Sequence, residues 1–323
     1  MIVRDEAALL PACLESVADL VDEIHVHDTG STDGTPELAA RFGAVVTRGD
    51  WDDDFSAARN AAQRGWSATW VLAVDADHRV TAAPVALRAL LAETATDLLL
   101  VEVEDAHHAS PYRQAEARLY RPDAVSWVGR VHERLVRPDR SAPTRATVPA
   151  SMLQLRHLGH ATYEDRIRRA ERNLDLSRRT LEELPPGSRQ RIARILLALG
   201  RDCAAAEQRQ QAVDTFETLR ELFPGTREWL QATECLARLV LASGYDKICL
   251  VLVGQLREAG AEPAYCDWLE AQAIAQLGDP HEAAALLAGV TEIVDSAGRR
   301  WDPAALTEFT ALVDRLRVLA PHV

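Results

Sequence analysis

Up to about residue 160 short β-like runs alternate with helical stretches, and beyond that point the strands vanish. No single motif restricts the possible folds as much as this change of pattern. In the first part, EIHVHD (23–28), GAVVTRG (43–49), TWVLAVD (69–75) and DLLLVEVE (97–104) read as strands. Between them, EAALLPACLESVADLV puts Leu10, Leu14, Val17 and Val21 on one helical face, with Asp5 as the expected N-cap. TPELAARFG opens with Thr35 as cap and Pro36 at the first helical position, and Gly43 lies just past its end. FSAARNAAQRG forms a third helix closing at Gly65. Alternation of this kind predicts an α/β domain with a mostly parallel sheet covered on both faces. Ligands of such sheets bind beyond the carboxyl ends of the strands, where Asp28 and the pair Asp75 and Asp77 fall.

After ATYEDR, Tyr163, Ile167, Ala170, Leu174, Ser177 and Leu181 follow a 4-3-4-3-4 spacing on a helix dense in arginine. QAVDTFETLRELFPG (211–225) and HEAAALLAGVTEIV (281–294) resemble one another about 70 residues apart, with GYDKICLVLVGQLREAG (244–260) midway. Two periods of about 34–35 residues are those of tetratricopeptide-type helix pairs. The expected division is an α/β domain over 1–160 and an all-α, repeat-like domain over 161–323. Such an array serves either to bind peptides or to brace a catalytic domain or dimer. The 4-3 stripe and the helical tail are compatible with a homodimer.

Composition excludes several partners. A formal charge of −13 argues against a nucleic-acid surface. No run nears the roughly 20 apolar residues of a membrane span, and no basic-then-apolar leader opens the sequence. The five cysteines are scattered, without a CxxC pair, which suits reduced core residues and a cytoplasmic location.

Three stretches carry chemistry. DTGSTDGT (28–35) joins a strand to a helix; it is neither a dinucleotide fingerprint nor a GxxxxGK[ST] phosphate loop, but offers Asp28 as an acceptor at a strand end. WDDDFSAARN (51–60) places three aspartates before a helix, one more comfortably explained by the helix end than three. Arg59 in its first turns suits a phosphate or an acidic strand end. In WVLAVDADHRV, Asp75 and Asp77 would point to the same side of an extended chain, and two like charges so placed call for a cation such as Mn²⁺ or Mg²⁺. A solvated strand-end turn is the plainer alternative.

MIVRDEAALLPACLESVADLVDEIHVHDTGSTDGT, WDDDFSAARNAA and WVLAVDAD together resemble the GT-A glycosyltransferases of family 2 over about residues 1–80. The resemblance points to the subgroup with C-terminal tetratricopeptide-like helices, which includes sublancin-type peptide S-glycosyltransferases and lipopolysaccharide core transferases. ARLYRPDAVSWVGRVHERLV resembles the acceptor-side block, and LRHLGH the closing His-x-Gly-Tyr segment. The resemblance implies a nucleotide-sugar donor, a UDP-sugar first among them, and a peptide or glycan acceptor. Asp28 would face the ribose or base, with Asp54 and Arg59 lining the nucleotide pocket. Asp75 and Asp77 would form the DxD pair, Asp77 being the more direct ligand of a divalent cation, and His157 would complete the metal site. Two positions depart from the family pattern: His78 replaces a carboxylate and His160 a tyrosine. Met1–Val3 is a short first strand beside the nucleotide site.

The implied chemistry is inverting displacement at the anomeric carbon, which needs a base opposite the leaving group. His132 and Glu133 are the candidates; they project to opposite sides of an extended segment, and Glu133 is favoured by analogy. His107 and His108 fall in EDAHHASPYRQAEARLYR, which reads as a loop over the acceptor cleft. The competing readings are a transferase acting on a peptide or protein side chain, one acting on a cell-envelope glycan, and a non-catalytic tetratricopeptide-type scaffold with a degenerate transferase domain.

Overall fold

A computed structural model describes residues 1–65, 67–106, 111–159, 162–185 and 187–319. The chain divides into two compact units, one made of 1–108 with 114–161, the other of 109–113 with 162–323. His107, His108 and His160 lie outside the described residues.

The first unit begins with two crossovers. Strands β1 (Ile2–Val3), β2 (His25–Asp28) and β3 (Val45–Arg48) form an all-parallel sheet, joined by helices α1 (Leu10–Val17) and α2 (Thr35–Arg41). Leu10, Leu14 and Val17 of α1 are buried as their spacing predicts. The expected caps differ. Asp5 has a left-handed backbone (φ 54°), and its Oδ1 accepts from the Thr32 N–H at 2.7 Å, tying the 4–7 turn to the 28–35 loop. Thr35 is the first residue of α2, not its cap; Gly34 (φ 83°) precedes it and Asp33 accepts from the Thr35 N–H at 3.0 Å. Pro36 sits in the first turn, where its missing N–H costs nothing.

After α3 (Phe55–Ala61) the predicted strand 69–75 shrinks to β4 (Val71–Leu72). Asp75–His78 is a turn instead: the His78 N–H donates to the Asp75 carbonyl at 3.0 Å, and the Asp75 N–H donates to His78 Nδ1 at 3.0 Å. Beyond it come β5 (His78–Ala82), α4 (Pro84–Glu93), β6 (Leu98–Asp105), β7 (Tyr112–Tyr120), β8 (Ser126–Val128), β9 (Arg134–Val136), β10 (Arg145–Thr147) and β11 (Leu153–His157). The segment expected to be a loop over 104–121 contains β7, whose alternation Gln114, Glu116, Arg118, Tyr120 sets four polar-tipped side chains on one face. The second sheet runs β7-β6-β11-β5, with β10 beside β6 and β4 beside β7. Here β10 and β11 pair with β6 in parallel, while β11–β5 and β4–β7 are antiparallel. Val101 and Val103 of β6 are buried, and Asp105 ends the same face.

In the second unit α5 (Tyr163–Glu182), α6 (Arg189–Ala205), α7 (Arg209–Leu222), α8 (Arg227–Leu241), α9 (Asp246–Glu258), α10 (Pro263–Gln276), α11 (Pro280–Leu287) and α12 (Pro303–Leu319) pack each on the next. Alternate helices also touch, α6 with α8 and α8 with α10, which is the layering of stacked helical hairpins. Ala170, Leu174 and Ser177 of the predicted stripe are buried, Tyr163 is exposed, and Thr162 caps α5 by accepting from the Asp165 N–H at 3.1 Å. The helix expected over 281–294 stops at Leu287. Val294 then bridges to Arg300, and β12 (Arg300–Trp301) pairs with Tyr112 and Arg113. All five cysteines are buried thiols.

The core of the second unit is tightest where α6 crosses α7. A Cβ on Gly200 would lie 2.7 Å from Cδ1 of the fully buried Phe216 ring. An exposed helical Gly→Ala change stabilises by about 1 kcal/mol; here overpacking reverses the sign. Gly200→Ala should cost about 1–3 kcal/mol and lower the thermal midpoint, read by calorimetry or circular dichroism.

Candidate active site

The first sheet ends at Asp28, whose carboxylate is buried and accepts from the Ser31 N–H at 3.2 Å (Oδ1) and 3.3 Å (Oδ2). Gly30 (φ 106°) turns the chain so that Ser31 can fold back on it. Asp28, Gly30, Ser31, Thr32, Arg48 and Asp50 line an open cleft of about 660 Å³. Gly49 is required beside it, because a Cβ there would meet the His27 imidazole at 2.9 Å. This cleft combines an acidic acceptor, loop amides and hydroxyls, and one guanidinium, a donor–acceptor mixture suited to a sugar hydroxyl or a heterocyclic N–H.

A chain of alternating charges lies in the same unit. Glu116 Oε2 accepts from Arg118 Nε at 2.8 Å, and Arg118 Nη1 donates to Asp75 Oδ2 at 2.8 Å. Asp75 Oδ1 accepts from Arg59 Nη2 at 3.2 Å, and Arg59 Nε donates to Glu133 Oε1 at 2.6 Å. The fold dictates each member. β7 alternation brings Glu116 and Arg118 to one face, and the Asp75–His78 turn presents Asp75 to it. Asp54 caps α3, its Oδ1 accepting from the Ala57 N–H at 2.9 Å and the Ser56 hydroxyl at 2.7 Å. Asn60 fixes α3 to β8 by exchanging hydrogen bonds with both the N–H and C=O of Trp127 (3.1 and 2.9 Å). The Phe55 N–H donates to the Arg130 carbonyl at 2.8 Å, which brings the 129–133 bend against α3. Arg59 also stacks on the Trp127 ring at 5.1 Å.

Burial by itself would neutralise Asp75, but Arg59 and Arg118 outweigh it and hold its carboxyl well below the usual range. Burial opposes the charge of Glu116 too, and Arg118 with Gln114 overcomes it. Both arginines are held more firmly protonated by their acidic partners despite burial.

A second cluster is set by strand register. His157 of β11 is paired with Asp105 of β6 on one side and His78 of β5 on the other. His157 Nε2 lies 3.1 Å from Asp77 Oδ2, and Nδ1 lies 3.5 Å from Asp105 Oδ1. Burial would lower the His157 pKa, but hydrogen bonds that its ring donates to the Asp105 and Asp77 carboxylates raise it to about 10. Asp77 is lowered by His157 against its own burial. His78 is lowered to about 4, chiefly by burial, so it stays neutral; its ring meets that of His157 edge-on at 5.4 Å.

Thus Arg59, Asp75 and Glu133 come together, as do Asp77 and His157. The two aspartates lie in a turn and not in an extended chain, and they take different partners, Asp75 the two arginines and Asp77 His157. Asp28 and Asp54 have their own settings, in the loop cleft and at the α3 cap. His132 is exposed at a bend (φ 50°), so the extended GRVHERL geometry is replaced by one that turns Glu133 toward Arg59. A further cavity of about 500 Å³, lined by apolar Leu20, Trp70, Leu87 and Leu119 and by polar His25 and Gln63, touches this set only at Arg59.

The Asp77 and His157 donors are of the types a Mn²⁺ or Mg²⁺ ion accepts. Among the described residues no group of three or more His, Cys, Asp or Glu side chains is arranged as an ion cage.

Sequence reasoning missed Arg118, Glu116 and Asp105. The signal for the first two was the two-residue alternation in RQAEARLY, and for Asp105 the continuation of the β6 pattern by one residue.

Residues 1–100 match the model of the family described as Glycosyl transferase family 2. Over 256 residues the chain is 26% identical to the SPbeta prophage-derived glycosyltransferase SunS of Bacillus subtilis, an overlap of 75% of this chain and 58% of that protein. Over 80 residues it is 56% identical to a TPR repeat-containing protein of Synechococcus elongatus, 25% of this chain and 20% of the relative. An uncharacterized glycosyltransferase of Rickettsia felis is 32% identical over 81 residues, 25% of this chain and 28% of its own. The chain therefore spans a fifth and somewhat over half of the lengths of the first two relatives. The match to the family 2 glycosyltransferase model thus lies within the first unit, and the helical region of stacked hairpins begins at Tyr163. Among the described residues no helix is long and apolar enough to cross a membrane.

Two outcomes follow from the charge clusters. Arg118→Met removes the cation shared by the half-buried Asp75 and Glu116, leaving Asp75 with Arg59 and Glu116 with Gln114, and should cost about 1–3 kcal/mol in denaturant unfolding. Arg88→Met, which breaks an exposed pair with Asp22, should leave the midpoint unchanged. The His157 contribution is full below its unfolded value near 6.5 and fades as pH rises toward about 10, while that of Asp77 is present above 3.8. Thermal melts of the metal-free protein should therefore show an alkaline decline between pH 7 and 10 that His157→Asn flattens.

Proposed function

We propose that the chain is an enzyme, an inverting glycosyltransferase that moves a sugar from a nucleoside diphosphate sugar, a UDP-sugar first, to a peptide or protein side chain. The observation that carries this reading is the buried chain Arg118–Asp75–Arg59–Glu133 inside a unit whose first 100 residues match the family 2 model. It supplies in one place a cationic group for a leaving diphosphate and a carboxylate for the incoming nucleophile. The peptide acceptor is supported by the helical hairpins, an architecture that offers extended surfaces to polypeptides; the overlap with the glycosyltransferase SunS along most of the chain supports sugar transfer itself.

Asp28 and the amides of its loop would orient the nucleoside. Arg59, fixed on Trp127, would hold the diphosphate by charge and direction. Glu133 would take the proton from the acceptor hydroxyl or thiol as that atom attacks the anomeric carbon from the side opposite the leaving group. His132, exposed beside it, would touch the acceptor without taking the proton. Asp77 and His157 would hold a divalent cation, which when bound supplies further neutralisation of the diphosphate. Asp75, engaged by two arginines, would keep Arg59 in place and would not itself hold the ion. A cytoplasmic homodimer is the form we expect.

The test is transfer and donor hydrolysis with UDP-sugars and Mn²⁺. Glu133→Gln should lower transfer about 10²–10⁴-fold while UDP still binds. Asp77→Asn should abolish both turnover and its sensitivity to chelators. Retention of full transfer in both variants would sink the assignment.

A further inference from the structure

Arg59 serves two carboxylates unequally. Asp75 has a second cation, Arg118, at 2.8 Å, closer than Arg59 at 3.2 Å. Glu133 lies 2.6 Å from Arg59, and that guanidinium is the cation paired with it among the described residues. Arg59 uses Nε and Nη2 for these bonds, and Nη1 makes no hydrogen bond with any described residue. The guanidinium itself is anchored from behind by the Trp127 ring and by the Asn60 clamp on α3. Its acidic partner is less fixed, because Glu133 sits in a bend between Gly129 (φ 115°) and β9, outside any strand. The anchored member of the pair is thus the cation, and the member that can be exchanged is Glu133.

Resting on the glycosyltransferase reading, we propose that Arg59 is a donor-operated clamp on the catalytic base. Without donor it holds Glu133; the diphosphate of an arriving nucleotide sugar displaces Glu133 from Arg59 and frees the carboxylate for the acceptor. A diphosphate carries more charge than a single carboxylate and presents oxygens that a guanidinium binds in pairs, so it competes successfully for Nη1 and Nε. Asp75 remains neutralised throughout, because Arg118 stays. The released Glu133 then accepts the acceptor's proton, and the acceptor's electron pair forms the new bond to the anomeric carbon. The bond from that carbon to the diphosphate oxygen breaks, its electron pair leaving on the diphosphate. Acceptor activation is in this way tied to donor occupancy, and proton removal does not precede the sugar.

Labelling of Glu133 by a water-soluble carbodiimide and an amine, followed by peptide mass spectrometry, tests the clamp in the full chain. UDP with Mn²⁺ is the probe, since without a sugar it leaves the acceptor side open; its binding is followed by calorimetry. Loss of a charge-assisted hydrogen bond should speed labelling about tenfold when UDP is bound. Glu133→Gln, which removes the competitor, should bind UDP more tightly than the native protein. In Arg59→Gln, labelling should be fast with or without UDP; the native comparison carries the test should that variant fold poorly. UDP binding with Glu133 labelling unchanged or slower overturns the clamp and leaves the transferase reading intact. Failure of UDP, GDP, ADP and dTDP all to bind removes the donor reading and the clamp with it.

Discussion

The half-buried ion chain from Glu116 to Glu133 is the interaction on which the first unit's geometry depends. Three carboxylates and two guanidiniums sit on segments up to 74 residues apart in sequence. Taken singly, each would be too costly to bury; alternated, each charge meets an opposite one within hydrogen-bond distance. The arrangement therefore fixes strand β7, the Asp75–His78 turn, helix α3 and the 129–133 bend relative to one another. It also concentrates cationic and anionic groups in one half-buried place, where an incoming charged ligand meets groups already oriented for it.

The same economy of placement is visible around His157. A parallel neighbour supplies Asp105, an antiparallel neighbour supplies His78, and the turn between β4 and β5 supplies Asp77. Three sequence-distant elements thereby converge at one end of the second sheet, and the mixed strand order makes this possible. A purely parallel sheet would have brought only strand ends with loops between them. His78, kept neutral by burial, adds an edge-on aromatic contact without adding charge to a crowded acidic corner. The resemblance pattern expects a carboxylate there, which would have made a third acid close to Asp75 and Asp77.

Much was legible from local pattern. Alternation of strands and helices, the buried face of α1, Pro36 and Gly43 at the ends of α2, and the helix pairs near 211, 246 and 281 all follow from spacing and backbone preference. Errors arose where tertiary partners override local preference. Asp5 and Thr35 are plausible caps in isolation, but contacts between the 4–7 turn and the 28–35 loop engage both, and Gly34 takes the cap position of α2. The DxD pair failed as an extended dipeptide because the His78 imidazole accepts from the Asp75 amide and closes a turn. β7 was missed because its polar alternation, half-buried by ion pairing, reads in sequence like a solvated loop.

The amino-acid sequence by itself determined the two-part architecture and the presence of acidic residues at strand ends, because helical and strand periodicities are local properties of the chain. It also singled out Asp28, Arg59, Asp75, Asp77, Glu133 and His157 as candidate site residues. Which of them face one another was decided only by tertiary structure. Ion pairing is a matter of a few ångströms between side chains dozens of residues apart, and no spacing rule within one strand or helix encodes it. Arg59 joins Glu133 across 74 residues, and Asp77 joins His157 across 80. Those partnerships exist because sheet register and the α3 anchor bring the segments together.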